Sequence, residues 1–147
     1  MATYSFLDVH LSITGPGGSF NMGQGAAPDK EGFSITPAED IDVMTIGADG
    51  SPMHSLRANK GGTLSAVYLK TSPINQKLMQ MYDLQTSTST LHGQNTLTMV
   101  NTATGDVISM QQSAFKKAPE LKYGEEAGTN TWEFNIGRIY RVLGATT

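Results

Sequence analysis

Along most of this chain apolar residues recur at every second position, the spacing of a strand with one buried face. Leu7, Val9, Leu11 and Ile13 fall on one side of the first such segment, with Phe6, Asp8, His10, Ser12 and Thr14 on the other. Gly15-Pro16-Gly17-Gly18 turns the chain, and residues 19–22 start a second, shorter strand. Residues 23–31 read as a Gly/Ala loop without periodicity, 32–36 as a short strand, and 37–42 as a polar, acidic connection. Val43, Thr45 and Gly47 then alternate with Met44, Ile46 and Ala48 up to Asp49-Gly50, a dipeptide that favours the positive backbone angles of a tight hairpin. The return limb is 53–56, Asn59-Lys60-Gly61-Gly62 turns the chain again, and 64–70 is the next strand.

One segment changes period. Ser72 suits a helix N-cap and Pro73 the first helical position. Ile74, Leu78 and Met81 follow at four- and three-residue spacing, which predicts a short helix over about residues 73–84. A helix this short needs a sheet to pack on. After a neutral polar loop over 86–93, strands are expected at 96–100 and 107–111, the second continuing or kinking through 113–117. A short strand at 121–123 follows, then a last one over 131–141 with Trp132, Phe134, Ile136, Arg138 and Tyr140 on one face. The expected architecture is mainly β, a two-sheet sandwich or barrel with one short flanking helix.

At 147 residues the chain has the size of one domain, 1–147, with room for a real core. Charged residues are scarce at 16%, the net charge is −3, and Ser, Thr, Asn and Gln supply the polarity, which excludes a disordered polyelectrolyte. No basic stripe is present to grip phosphates. With no cysteine, neither a disulfide framework nor a thiolate metal site is available. The N-terminus lacks a basic start followed by an apolar run, so no signal peptide is expected. No stretch approaches the roughly 18 apolar residues of a membrane span.

Searches for chemistry return ordinary readings. His10, His54 and His92 lie far apart and form no chelating pair, so no metal site is assigned. Asp8 and His10 share a strand face in this reading, but no strand-turn-helix elbow surrounds any serine, so no catalytic residue is assigned. Gly15-Pro16-Gly17-Gly18 leads into a strand and lacks the Lys-Ser/Thr of a phosphate cradle, and no cofactor is expected. Glu125-Glu126 reads as solvated, and Lys116-Lys117 is too small a patch to hold DNA.

Two features ask for another explanation. Asp29, Glu31, Glu39, Asp40, Asp42 and Asp49 gather in one stretch with Lys30 as counter-charge. They are either a solvated loop or a negative surface that keeps polyanions from sticking. The 44–56 hairpin carries Met44, Ile46, Met53 and Leu56, either as core packing or as an exposed apolar arm that buries itself in a neighbouring subunit.

Several strings, in order, carry a resemblance. They are Tyr4-Ser5-Phe6-Leu7-Asp8-Val9, Ile13-Thr14-Gly15-Pro16-Gly17-Gly18-Ser19-Phe20, and Met44-Thr45-Ile46-Gly47-Ala48-Asp49-Gly50 with Met53-His54-Ser55-Leu56. Lys60-Gly61-Gly62-Thr63, Leu69-Lys70-Thr71-Ser72-Pro73-Ile74-Asn75 and Gly93-Gln94-Asn95-Thr96 follow. Ala114-Phe115-Lys116-Lys117-Ala118-Pro119 and Trp132-Glu133-Phe134 close the set. Together they resemble, nearly end to end, the tail tube proteins of contractile-tailed phages, which are similar to the tube subunit of type VI secretion.

The resemblance implies two packed sheets with a flanking helix, hexameric rings, and rings stacked into a hollow tube that conducts genome DNA. It implies a long interaction hairpin reaching the adjacent ring, placed by chain order at 37–62, with Met44, Ile46, Asp49, Gly50, Met53 and Leu56 as candidate inter-ring residues. Glu39, Asp40 and Asp42 are candidates for the lumen or an acidic surface. Implied partners are further copies of the chain, the tail sheath, baseplate or initiator, tape-measure and tail-terminator proteins, with transient, non-specific DNA and no membrane. The expected location is the virion tail, after synthesis in the bacterial host cytoplasm. A phage-like bacteriocin or secretion tube fits the same residues. The reading from another class is a non-enzymatic β-sandwich binding module for carbohydrate or protein, which calls for exposed aromatics around a groove.

Overall fold

The computed structural model describes residues 3–23 and 28–144, with the side chains of 28–31 outside that description. Among the described residues ten strands and one α-helix account for the fold: β1 Val9–Gly15, β2 Gly18–Asn21, β3 Pro28–Pro37, β4 Asp42–Ile46, β5 Pro52–Leu56, β6 Gly62–Leu69, α1 Ile74–Thr86, β7 Asn95–Asn101, β8 Asp106–Lys117, β9 Thr129–Ile136 and β10 Arg138–Val142. Eight strands form one hydrogen-bonded path, β2-β1-β7-β8-β9-β6-β3, with β10 added to β8; β4 and β5 pair only with each other. The path folds over a single core. Leu11 and Ile13 of β1, Leu97 of β7 and Met110 of β8 meet Leu64 and Tyr68 of β6 and Trp132 and Phe134 of β9. The mainly β, two-sheet expectation is what the structure shows.

Strand β8 belongs to both sheets, and a corner makes this possible. Its buried positions run Met110 and then Ser113 and Phe115, so the inward phase slips by one across the exposed pair Gln111 and Gln112. Gln112 takes the left-handed conformation, φ 52°, which β-carbons disfavour. Opposite it, β9 ends at Ile136 and the buried position moves to Ile139 across Gly137. Gly137 N–H donates to Gln112 O at 3.2 Å, and a β-carbon on Gly137 would lie 2.9 Å from Gln112 Cβ. Both strands therefore step from one layer to the other at the same place, a bulge-type corner.

This corner corrects the expectation of one strand over 131–141. Arg138 and Tyr140 do not share the face of Trp132; they are exposed and Ile139 turns inward. Three other expectations are corrected. Leu7 sits in a 3-10 turn, Phe6–Asp8, and is exposed, because Ser5 caps that turn and the strand begins only at Val9. Strand β3 starts at Pro28, earlier than residue 32, with a register break before Phe33. Residues 121–123 form no strand, and Leu121 and Tyr123 point to solvent, where the Lys70 ammonium lies 3.7 Å from the Tyr123 ring centre.

Helix α1 closes the sandwich with Ile74, Leu78, Met81 and Gln85. The N-cap position falls on Pro73, one residue later than expected, and carries no side-chain cap because proline has none to offer; Ser72 Oγ just before it accepts from Ile74 N at 3.3 Å, satisfying one orphan donor of the first turn. Asn75 accepts the Trp132 indole N–H at 3.1 Å and donates to the carbonyls of Leu69, Lys70 and Ser72, tying helix, strand and connection together. At the other end, Gln85 and Asn95 exchange two amide hydrogen bonds of 2.7 Å, both fully buried, and Gln85 also donates to Pro16 O at 2.8 Å. The Asn95 carboxamide fills the space that a Gly15 β-carbon would need, so the β1–β2 turn docks directly on this pair. Tyr68 OH donates to Met22 O at 2.7 Å, and burial pushes its phenol far above the ordinary range.

Candidate assembly interface

Residues between β3 and β6 leave the body as an arm. Its root is held by backbone hydrogen bonds: Ala38 N–H to Gly61 O at 3.1 Å, and Arg57 N–H to Ile41 O at 2.8 Å. Beyond the root, Asp42 to Ile46 pair with Leu56 to Pro52 in strict antiparallel register. The tip is built by the sequence that predicts it. Gly50 takes φ 88°, Gly47 N–H donates to Ser51 O at 2.8 Å, and Ser51 N–H donates to Asp49 Oδ1 at 3.0 Å. The Ser51 backbone donor, helped by its hydroxyl, holds the fully exposed Asp49 carboxyl below the usual carboxylate range.

Every residue of β4 and β5 is exposed. Of the two readings of this hairpin, core packing is therefore excluded: Met44, Ile46, Met53 and Leu56 expose 55, 54, 59 and 85% of their surface. Apolar groups of that size, adjacent on one ribbon, form the kind of patch that marks a binding surface. Asp49 and Gly50 occupy the tip.

Glu39 and Asp40 lie at the root and Asp42 opens β4, all exposed. Arg57 pairs with Glu39, and His54 Nδ1 lies 3.0 Å from Asp42 Oδ2, so the return limb brings hydrogen-bonding partners back to the acids. Chain order hid these pairs because the hairpin sets far positions side by side. Asp29, Lys30 and Glu31 have side chains outside the described residues. A groove of ≈ 620 Å³ runs between the arm root and β10, with Glu39, Asp40 and Ile41 on one wall and Arg138, Tyr140 and Arg141 on the other.

The remaining candidates stay apart. Asp8 ends the 3-10 turn while His10 lies on β1, so they do not share a strand. Among the described residues no three His, Asp or Glu side chains come together as a metal site. Trp132 is buried in the core. The half-buried Asn75 and the buried Gln85 and Asn95 carry no mark in the sequence, although Asn75 and Asn95 sit inside strings that carry the resemblance. A polar residue next to a turn reads as surface until its partner is known.

The β-sandwich thus carries a hairpin, β4–β5, that projects apolar side chains away from its own core. The chain belongs to the family described as Bacteriophage PhiTE tail tube protein, whose model matches residues 1–144. No characterised protein sequence matches it. Among solved structures it is similar in fold to a chain of the anti-feeding prophage (AFP) baseplate, with TM-score 0.64, 11% identity, and 97% of this chain and 96% of that one covered. It is similar to a chain of the sheath/tube terminator of an extracellular contractile injection system, PVC, with TM-score 0.57, 9% identity, and 97% and 98% covered. A chain of the anti-feeding prophage tube-terminating cap aligns at TM-score 0.53 and 6% identity, over 98% and 95%. The protein is thus a phage tail tube component, and the family's role is structural.

Proposed function

We propose that the chain is the repeating subunit of a contractile-type phage tail tube, in which hexameric rings stack into a hollow conduit for genome DNA during infection. The uncovered apolar arm carries this reading, because it needs a partner surface that its own chain does not supply. Met44, Ile46, Met53 and Leu56, with the tip Asp49-Gly50, form the contact between rings. Edge strands β2, β3 and β10 support ring closure, since unpaired edges call for a neighbour. Head-to-tail contacts that close by rotation give rings. Sheath, baseplate or initiator, tape-measure and terminator proteins are the expected partners, in keeping with the complexes in which the fold's relatives occur. Synthesis takes place in the host cytoplasm, ahead of assembly into the virion.

A lumen with few unpaired cations lets DNA slide, because phosphate finds little to bind. Glu39 and Asp40 are its proposed acidic lining, and Asp42, on the arm, is a proposed acidic surface. With Glu39 already paired to Arg57, Asp40 contributes the net negative charge there.

Negative-stain electron microscopy over rising protein concentration tests this reading. Hollow rings or tubes are expected from the wild-type chain. Met53→Asp and Leu56→Asp each abolish stacking while leaving the unfolding free energy from urea titration within about 0.5 kcal/mol of wild type, as befits surface positions. Tubes of normal length from both variants remove the arm from the interface. A particle that stays monomeric at every concentration, with a nucleating baseplate supplied, overturns the tail-tube reading.

A further inference from the structure

Partner positions across an antiparallel ladder share a face of the ribbon. The register of the arm thus sets Asp42, Met44, Ile46, Pro52, His54 and Leu56 on one side. Val43, Thr45, Met53 and Ser55 occupy the other. The first face exposes Met44, Ile46 and Leu56; the second exposes Val43 and Met53, with Ile41 at its root. A ribbon that lays one face on a partner turns a polar face to water. This one has large apolar groups on both. A two-stranded hairpin wetted on both sides is marginal in stability, so each face calls for cover.

Charge indicates what covers it. Residues 38–57 carry Glu39, Asp40, Asp42 and Asp49 against Arg57. Strand β10 carries Arg138 and Arg141 and no acid, beside exposed Tyr140, Val142 and Leu143. Among the described residues neither arginine takes part in an ion pair. An acidic apolar ribbon and a cationic apolar edge are complementary, and every copy of the chain owns one of each.

We propose that the arm is clasped between two other copies of this chain, one face against each. The β10 edge of one copy forms the wall for the face bearing Asp42 and Ile46. This rests on the tail-tube reading and adds to it the number of copies that hold each arm.

The chain has no cysteine, so a single introduced thiol is unique. Ile46→Cys reports on the first face and Met53→Cys on the second; His54→Cys and Thr45→Cys report on the same two faces at polar positions should the apolar changes impair assembly. Each variant is assembled, its maleimide labelling rate is compared with that of the monomer, and a thiol-directed photo-crosslinker is read by mass spectrometry. Labelling at both faces is expected to fall by about tenfold or more as water is excluded. The probe on the first face links to residues 138–143 of another copy, and the probe on the second links to a different segment. The proposal is overturned if either face keeps the monomer's labelling rate, if both probes link to one segment, or if the first never reaches 138–143. Absence of tubes from the wild-type chain with a nucleating baseplate supplied, by contrast, removes the tail-tube reading itself, and this proposal with it.

Discussion

Single residues decide how the ends of the sandwich are sealed. Tyr68 hides its phenol in the core and donates to Met22 O. Tyr68→Phe leaves that carbonyl without its donor and is expected to lower stability by about 1–2 kcal/mol in urea unfolding. The same residue sets an alkaline limit. In the unfolded chain its phenol ionises near 10.0, while in the folded chain burial holds it neutral to much higher pH. The unfolded state alone then releases the proton, so stability falls as pH rises past 10.0, by up to about 1.4 kcal/mol per pH unit from this group. Urea midpoints at pH 9 and pH 11 are expected to differ less in Tyr68→Phe than in wild type. At this scale apolar burial was legible and polar burial was not. Leu11, Ile13 and Trp132 announce themselves by alternation. Gln85 does not: a glutamine after an apolar stripe reads as the wet side of a helix until Asn95 arrives from a distant strand to pair with it.

Strands and turns were largely readable, because local chemistry specifies them. Asp49-Gly50 makes a tip, Pro16-Gly17 makes a turn with Gly17 at φ 102°, and Ser72-Pro73 opens the helix. What escaped is the corner at Gln112 and Gly137. A sequence that alternates on both sides of a glycine looks like one strand, and the slip of phase shows only when the partner strand slips as well. Gly137→Ala puts a methyl against Gln112 and is expected to destabilise the fold by about 1–3 kcal/mol. Gln112→Gly in the same background relieves the crowding and recovers part of the loss, so the two changes are non-additive in a urea-unfolding double-mutant cycle. Additive costs from this pair mean that the corner does not act as a unit.

The whole molecule divides into a body that holds the core and an arm that holds none of it. None of residues 42–56 is buried. Joining Ile41 to Arg57 through a short Gly-Ser turn is therefore expected to leave the unfolding free energy within about 0.5 kcal/mol of wild type while abolishing tube formation. A large loss of stability shows instead that the arm braces the sandwich. The hairpin's existence could be read from alternation and one dipeptide. Its exposure could not, because Met44 and Ile46 are as well suited to a core as to a contact. Only the closure of the core without them separates the two.

The arm belongs to one side of a subunit whose described residues form no second arm. Any stack joined through such a part has a direction. One end always shows arms with nothing to grip, and the other shows grips with no arm, so growth at the two ends is chemically unequal. A protein that starts the column and one that stops it have to offer opposite halves of the same contact, and neither can do the other's work.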